Sequence, residues 1–391
     1  MRKWWLDRGV LVHGNLVLKC EYHADGIRHK SHKLKHLLQG LSLLAVLFAS
    51  PSYAVNWSDV TLNGYFSFEY EKNVSGEPEG DTNGSFDLDL FDLVINFNVS
   101  DNFRIATDLT WEHGAATEED FGNVAVEYAF GEYTFNRGFK LRAGKMFTNF
   151  GIYNEIHTAK PATLTVKEPL STNKNNKLGS EFRFYPRWNV GIAAVGDFIF
   201  MDRDFDYVVQ LSNGEDEETN PYEEDVNTSK ALGARVRGDV SDVLQLGASF
   251  YKDHINSDYD DDGDLLARAR IASYGVQVRW SPYELFQTEF EYVAGTVKRD
   301  DTEKISRKAY TVMFSSELTE EVTPYLRIEM LEPNTDVSDD QGMLTIVGVN
   351  WQITTNAFLK FELNSTDTEE ANAKFEGQDF KEFKASLSVG F

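Results

Sequence analysis

From Val60 to Phe391, apolar and polar residues alternate almost one by one, and the dominant period is two, not 3.6. Phe103, Ile105, Thr107, Leu109 and Trp111 take turns with Arg104, Ala106, Asp108, Thr110 and Glu112. Leu232, Ala234, Val236 and Val240 alternate with Arg235, Arg237 and Asp239, and Leu326, Ile328 and Met330 with Tyr325, Arg327 and Glu329. In a strand such alternation sends the two sets to opposite faces, so one face is apolar and the other charged. Segments of this kind predict sixteen strands, at 60–70, 86–99, 103–111, 123–135, 139–147, 190–200, 206–213, 230–240, 243–251, 268–280, 285–293, 305–318, 322–331, 343–352, 357–364 and 379–391. Glu181–Tyr185 is a further candidate strand.

The connections alternate between short and long. Seven are tight: Ser100–Asn102, Asn136–Gly138, Met201–Asp204, Ser241–Asp242, Ser281–Glu284, Thr319–Glu321 and Ile353–Asn356. Eight are longer, roughly 10 to 40 residues, and rich in Asp, Glu, Asn and Gly, the pattern of an outer-membrane barrel with short periplasmic turns and long outer loops. A soluble tandem sandwich would also alternate, with its apolar face as core. Against it stand strands near the ~9–11 residues that a tilted membrane strand needs, and aromatics at strand ends (Phe97, Phe103, Phe139, Phe200, Trp280, Tyr283 and Phe286), where interfacial girdles sit. The expected fold class is therefore all-β, a 16-stranded antiparallel transmembrane β-barrel.

The last segment, Phe383-Lys384-Ala385-Ser386-Leu387-Ser388-Val389-Gly390-Phe391, resembles the carboxy-terminal assembly signal of Gram-negative outer-membrane proteins. A second stretch, Gly144-Lys145-Met146-Phe147-Thr148-Asn149-Phe150-Gly151-Ile152-Tyr153-Asn154-Glu155, resembles the exit from the fifth strand into the long third loop of the phosphate-selective porin family, with Asn149 where that family commonly has proline. The resemblance implies a porin whose third loop folds inward, and a homotrimer.

If the apolar alternates face lipid, ten basic residues face the interior: Arg104, Lys140, Arg142, Arg235, Arg237, Arg279, Arg307, Arg327, Lys360 and Lys384. Nine acidic ones join them: Asp108, Glu112, Glu127, Asp197, Asp239, Glu289, Glu291, Glu329 and Glu362. So many charges are costly to keep dry, which predicts a water-filled lumen, charged but nearly balanced rather than the basic surface of a phosphate channel. The third connection, 148–189, carries Lys160, Lys167, Lys174, Lys177, Arg183 and Arg187 against Glu155, Glu168 and Glu181, a net of +3. Uncommonly long for a loop without secondary structure, it is the expected constriction.

Charge and composition then narrow the partners. The chain carries 38 basic and 63 acidic side chains, a net of −25, which argues against nucleic acid, whose phosphates need a basic surface. Beyond the N-terminal region no apolar run reaches the ~18 residues of a membrane helix. Lys33, Lys35 and His36, the apolar run Leu37–Ala49 and Ser52-Tyr53-Ala54 read as a signal peptide cut after Ala54, with residues 1–32 an extension of it or a mis-assigned start. Its removal takes 8 basic and 3 acidic residues and Cys20, leaving 30 against 60 and no thiol. Seven outer connections together hold −26 of the remaining −30. Such a rim suits solvation, cation enrichment, or bridging of lipopolysaccharide phosphates through divalent metal.

Asp258, Asp260, Asp262, Gly263 and Asp264 follow the D-x-D-x-D-G spacing of a calcium loop, but Ala269 replaces the bidentate Glu, so calcium or magnesium is at most a partial-site expectation. No other cofactor is expected. His113, His157 and His254 lie on different connections and no nucleophile elbow is present, so no enzyme is expected. The function expected is passive diffusion of small hydrophilic solutes and ions across the outer membrane, weakly anion-preferring or near neutral. A cation-selective general porin and a non-channel adhesin or receptor barrel are the alternatives.

Overall fold

A computed structural model describes residues 57–76, 83–112, 124–173, 178, 183–214, 229–259, 265–283, 285–300, 303–372 and 377–391, with the backbone alone at 57, 256–259 and 265–267. After a short 3-10 turn at Trp57–Asp59 come sixteen strands: β1 Val60–Ser75, β2 Ser85–Ser100, β3 Phe103–Glu112, β4 Ala125–Asn136, β5 Phe139–Phe147, β6 Trp188–Phe200, β7 Arg203–Ser212 and β8 Ala231–Ser241. The second half comprises β9 Leu244–Tyr259, β10 Leu265–Tyr283, β11 Phe286–Arg299, β12 Ile305–Ser316, β13 Val322–Glu332, β14 Gly342–Thr354, β15 Ala357–Thr368 and β16 Phe380–Gly390. Each pairs antiparallel with its chain neighbours, and β1 also pairs with β16 through Tyr65↔Gly390 and Ser67↔Ser388, closing the barrel. Closure leaves no unpaired edge, the condition for a sheet to cross hydrocarbon. Among the described residues no helix is long and apolar enough to span a membrane.

Burial is inverted relative to a soluble sheet. On β12, Arg307, Ala309, Thr311, Met313 and Ser315 are buried inside, whereas Tyr310, Val312 and Phe314 alternate with them on the outer face. Val236, Leu246, Val276, Val347 and Leu363 are likewise exposed on the outside. This apolar belt is the surface expected in lipid. At the turn end it is rimmed by aromatic contacts, Tyr133 against Phe135, Phe135 against Phe139, and Phe198 and Phe200 against Phe205.

Strand number and order match expectation, but several strands run farther toward the long loops. β1 continues to Ser75, β9 to Tyr259 and β15 to Thr368, and β10 begins at Leu265. Past the bilayer, lipid no longer selects apolar residues, so alternation fades while the hydrogen-bonded ladder persists. Arg183–Tyr185 is not a strand. His254, expected on a connection, lies in β9 opposite Arg270.

Candidate functional site

The third connection leaves β5 at Phe147 and re-enters β6 at Trp188, and its described residues, 148–173, 178 and 183–187, run inside the barrel. Its two ends are tied together: the Thr148 N–H donates to the Arg187 carbonyl at 2.8 Å, and the Asn154 amide donates to the carbonyls of Thr148 and Arg187 at 2.8 and 3.0 Å. The turn inward is made at Gly151, whose φ is +68° and where a Cβ would sit 2.6 Å from a Glu291 carboxylate oxygen. Both the backbone angle and the space demand glycine. Beside it the Gly151 N–H donates to Ser249 Oγ at 3.1 Å and the Ile152 N–H to Glu291 Oε2 at 2.6 Å, fastening the turn to β9 and β11.

Beyond a 3-10 turn at Asn154–Ile156, the chain crosses to the opposite wall. Lys160 pairs with Asp89 at 3.1 Å and Glu69 at 4.0 Å, and Lys167 with Glu71 at 3.0 Å and Glu69 at 3.5 Å. Burial opposes the charge on both lysines, but Asp89, Glu168 and Glu69 around Lys160, and Glu69, Glu71 and Asp89 around Lys167, outweigh it and raise both above the ordinary lysine value. The ammonium of Lys360 is enclosed by the carbonyls of Lys160, Thr163 and Thr165 at 2.6, 2.7 and 3.0 Å. Arg327 donates to Thr165 Oγ1 at 2.8 Å and the Lys167 carbonyl at 2.7 Å while pairing with Glu329 at 2.8 Å. Glu362 accepts the Val166 N–H at 2.7 Å, and Glu329 the Ser171 N–H at 2.9 Å. Arg307 reaches the Arg183 carbonyl over the Phe184 ring, and Glu168 forms a buried pair with Arg187.

This path corrects the picture of a lumen lined all round by water. Arg235, Arg307, Arg327, Lys360, Glu291, Glu329 and Glu362 do face inward, yet they are buried, and all of them bind the connection. Backbone N–H and C=O groups of the connection, and for Arg235 the Glu155 carboxylate, take the place of part of the water that these charges would otherwise hold. Lys160 and Lys167 are corrected as well. Their positive charges are spent on strand carboxylates, so they are not free charges at a constriction. Glu168, neutralised by Arg187, is not one either.

The wall from β3 to β11 keeps the exposed charge. Glu132 accepts from Arg104 at 2.8 Å and also from Arg142, Asp206 accepts from Arg237 at 2.7 Å, and Glu289 from Arg279 at 3.0 Å. Around Glu132 and Glu289 the arginines are outermost: Arg104 and Arg279 retain 38 and 35% side-chain exposure, against 3% for Glu132 and 9% for Glu289, whereas Arg237 and Asp206 are about equally exposed at 34 and 31%. Lys140 is half-buried on the same wall. Facing them from the connection is Glu155, which binds Arg235 and the Asn149 amide.

Glu69, Glu71, Asp89 and Gln210, which receive or flank the connection, were not legible as site residues. Glu69 and Glu71 continue the inward alternation of Tyr65 and Ser67, Glu71 past the predicted strand end at 70, and Asp89 is masked by the bulge where β1 meets β2 between Ser67 and Glu69. Glu127 joins the site by accepting from the Trp188 indole at 2.8 Å beside His157 at 3.4 Å. Lys174, Asp260, Asp262 and Asp264 lie outside the described residues; Asp258 lies in β9. Among the described residues no three His, Cys, Asp or Glu side chains are arranged to hold a metal.

No protein-family model matches the chain. An uncharacterised protein of Aquifex aeolicus (strain VF5) is 27% identical over 267 residues, which are 66% of this chain; the chain spans 57% of that protein's length. Solved structures give the fold. An anion-selective porin from Comamonas acidovorans superposes with TM-score 0.60 at 11% identity, covering 85% of this chain and 99% of that one. The outer membrane channel DcaP of Acinetobacter baumannii gives 0.57 at 11%, covering 87% and 100%, and a loop-deleted OmpT, an outer membrane protein of Vibrio cholerae, 0.58 at 13%, covering 85% and 99%. OmpT has also been solved in a trimer form, which gives 0.53 at 12%, covering 85% and 99%. The architecture is the outer-membrane porin fold. Within that fold the inward connection packs against β11–β16, β1 and β2 and leaves a row of partly exposed charges along β3–β11.

Proposed function

We propose that the protein is an outer-membrane porin whose aqueous passage runs between the third connection and the wall of β3–β11, carrying small hydrophilic solutes and ions by passive diffusion. The observation that carries this reading is the partly exposed row of Arg104, Arg142, Arg237 and Arg279, which keeps solvent contact beside a connection that elsewhere packs tightly. Because Arg104, Arg142 and Arg279 are more exposed than their partner carboxylates, a passing ion meets more positive than negative charge there, which favours weak anion preference. The source of that preference is the wall, not the connection as its net charge had suggested. A phosphate-selective channel is not part of the proposal, since each of these arginines already shares a carboxylate.

The reading assigns the protein transport without catalysis, a homotrimeric state, and contact with lipopolysaccharide through the acidic rim. It treats residues 1–54 as a leader removed to leave Val55 first, which amino-terminal sequencing of the membrane-extracted protein checks. Purified protein in a planar bilayer should give open steps, with a reversal potential across a salt gradient on the anion side. If steps are absent in the native chain but appear when Lys360 and Arg327 are replaced to free the connection, the barrel is a plugged receptor and not a porin.

A further inference from the structure

A cavity of about 280 Å³ lies beneath the third connection toward the turn end of the barrel, walled by β10–β13 and roofed by Tyr153 and the segment Ala162–Thr165. We propose that it is a binding subsite for a small neutral polyhydroxylated solute of monosaccharide size. The proposal rests on the channel reading for how solute arrives, and on the cavity alone for how it binds.

The cavity is organised around Glu289, which accepts from Arg279 Nε at 3.0 Å, Gln287 Nε2 at 3.0 Å and the Tyr153 hydroxyl at 2.6 Å. Three donors hold the carboxylate in place, and its charge compensates the guanidinium. What remains toward the cavity is hydrogen-bonding capacity without matching net charge. The terminal nitrogens of Arg279 and the hydroxyls of Ser281, Ser315 and Thr323 have no hydrogen-bond partner among the described residues. A planar pair of donors beside hydroxyls that both donate and accept suits adjacent hydroxyl groups, each of which does the same. A simple anion meets Glu289 and Glu317, and a simple cation meets Arg279, so neither is well served. Leu164 and Met313 add an apolar patch of the kind that packs on the C–H face of a pyranose ring. The volume is near the lower end of ligand pockets, roughly 300–1,000 Å³, which admits one sugar ring and not a chain of them.

The test uses the full barrel in detergent and D-glucose, glycine and acetate as probes, with saturation-transfer NMR for binding and planar-bilayer current for transport. Glucose should bind saturably in the millimolar range and reduce the current when added from the turn side. Arg279→Lys, which keeps charge but loses the planar fork, and Gln287→Ala should each weaken glucose at least fivefold. Both variants must first show the heat-resistant folded form. Open steps with no glucose signal would overturn the subsite and leave the channel reading standing, whereas glucose binding without open steps would do the reverse. Tighter binding of glycine or acetate, or glucose binding indifferent to both variants, would also overturn the proposal.

Discussion

Lys360 exchanges all its water for three carbonyls of one short segment, Lys160, Thr163 and Thr165, and so sets that segment's curvature. Lys360→Met keeps much of the volume but leaves those carbonyls without a charged donor. We expect a loss of about 2–4 kcal/mol in urea unfolding, together with noisier, larger current steps as the connection loosens. Unchanged noise would show that the connection is held without it. Lys160 and Lys167 make a pH statement of opposite kind to an acid-sensitive latch. A raised lysine contributes fully below its unfolded value, near 10.5, and its contribution is lost only as pH climbs through the raised one. Lys160→Met and Lys167→Met should therefore each cost as much stability at pH 10 as at pH 8, and a cost that vanishes within that window would contradict the pairing. The sequence counted these lysines correctly as inward or on the connection. It could not tell that they would be consumed by Glu69, Glu71, Asp89 and backbone carbonyls, because those partners are brought close only when the barrel closes.

At the scale of elements, the turn between β6 and β7 is strained. Met201 and Asp202 take φ of +51° and +59°, and Phe200 pairs directly with Arg203, so two residues without glycine make a left-handed hairpin turn. Replacing them with Asn and Gly should raise stability by about 1–2 kcal/mol in urea unfolding with no change in conductance, since the turn is far from the passage. A loss of stability would mean that Met201 is anchored in the membrane interface. On the lipid face, Val236 lies mid-strand in β8 and is exposed, so Val236→Arg should cost roughly 2–4 kcal/mol of assembly, read as loss of the heat-resistant form. Arg235, its inward neighbour, binds Glu155 and carries a different cost, that of releasing the connection. The strand faces were legible from alternation alone. Strand ends were not, because they depend on where lipid stops selecting apolar residues.

For the whole molecule, selectivity sets the acidic outer connections expected from the sequence against a smaller charge on the wall of the passage. Charges in open saline fade over ~8 Å, whereas an ion in the passage comes within a few ångströms of Arg104, Arg142 and Arg237. Replacing these three by Gln should move the reversal potential toward cations at physiological salt. Changing Glu215, Asp216, Glu217 and Glu218 to Gln should matter only at low salt. The opposite ranking would make this a cation-selective general porin governed by its rim.

The period-two pattern and the alternation of short turns with long connections determined the strand number, the two faces and the barrel, because each is local: a strand's faces follow from its own residues, and a hairpin from its own turn. Even the inward turn of the third connection was foreshadowed by its length and by the run from Gly144 to Glu155. Where that connection would go was decided only by tertiary structure. Lys160 meets Asp89 and Lys360, and Glu291 meets Ile152, across separations of 71, 200 and 139 residues, and only barrel closure makes them neighbours. The same inward charges could have faced water or backbone, and desolvation chose between the two. Lys360, Arg327, Glu329 and Glu362 are buried where the folded connection supplies carbonyl, N–H or counter-charge in place of hydration, whereas Arg104, Arg142, Arg237 and Arg279 keep contact with solvent along the wall of β3–β11.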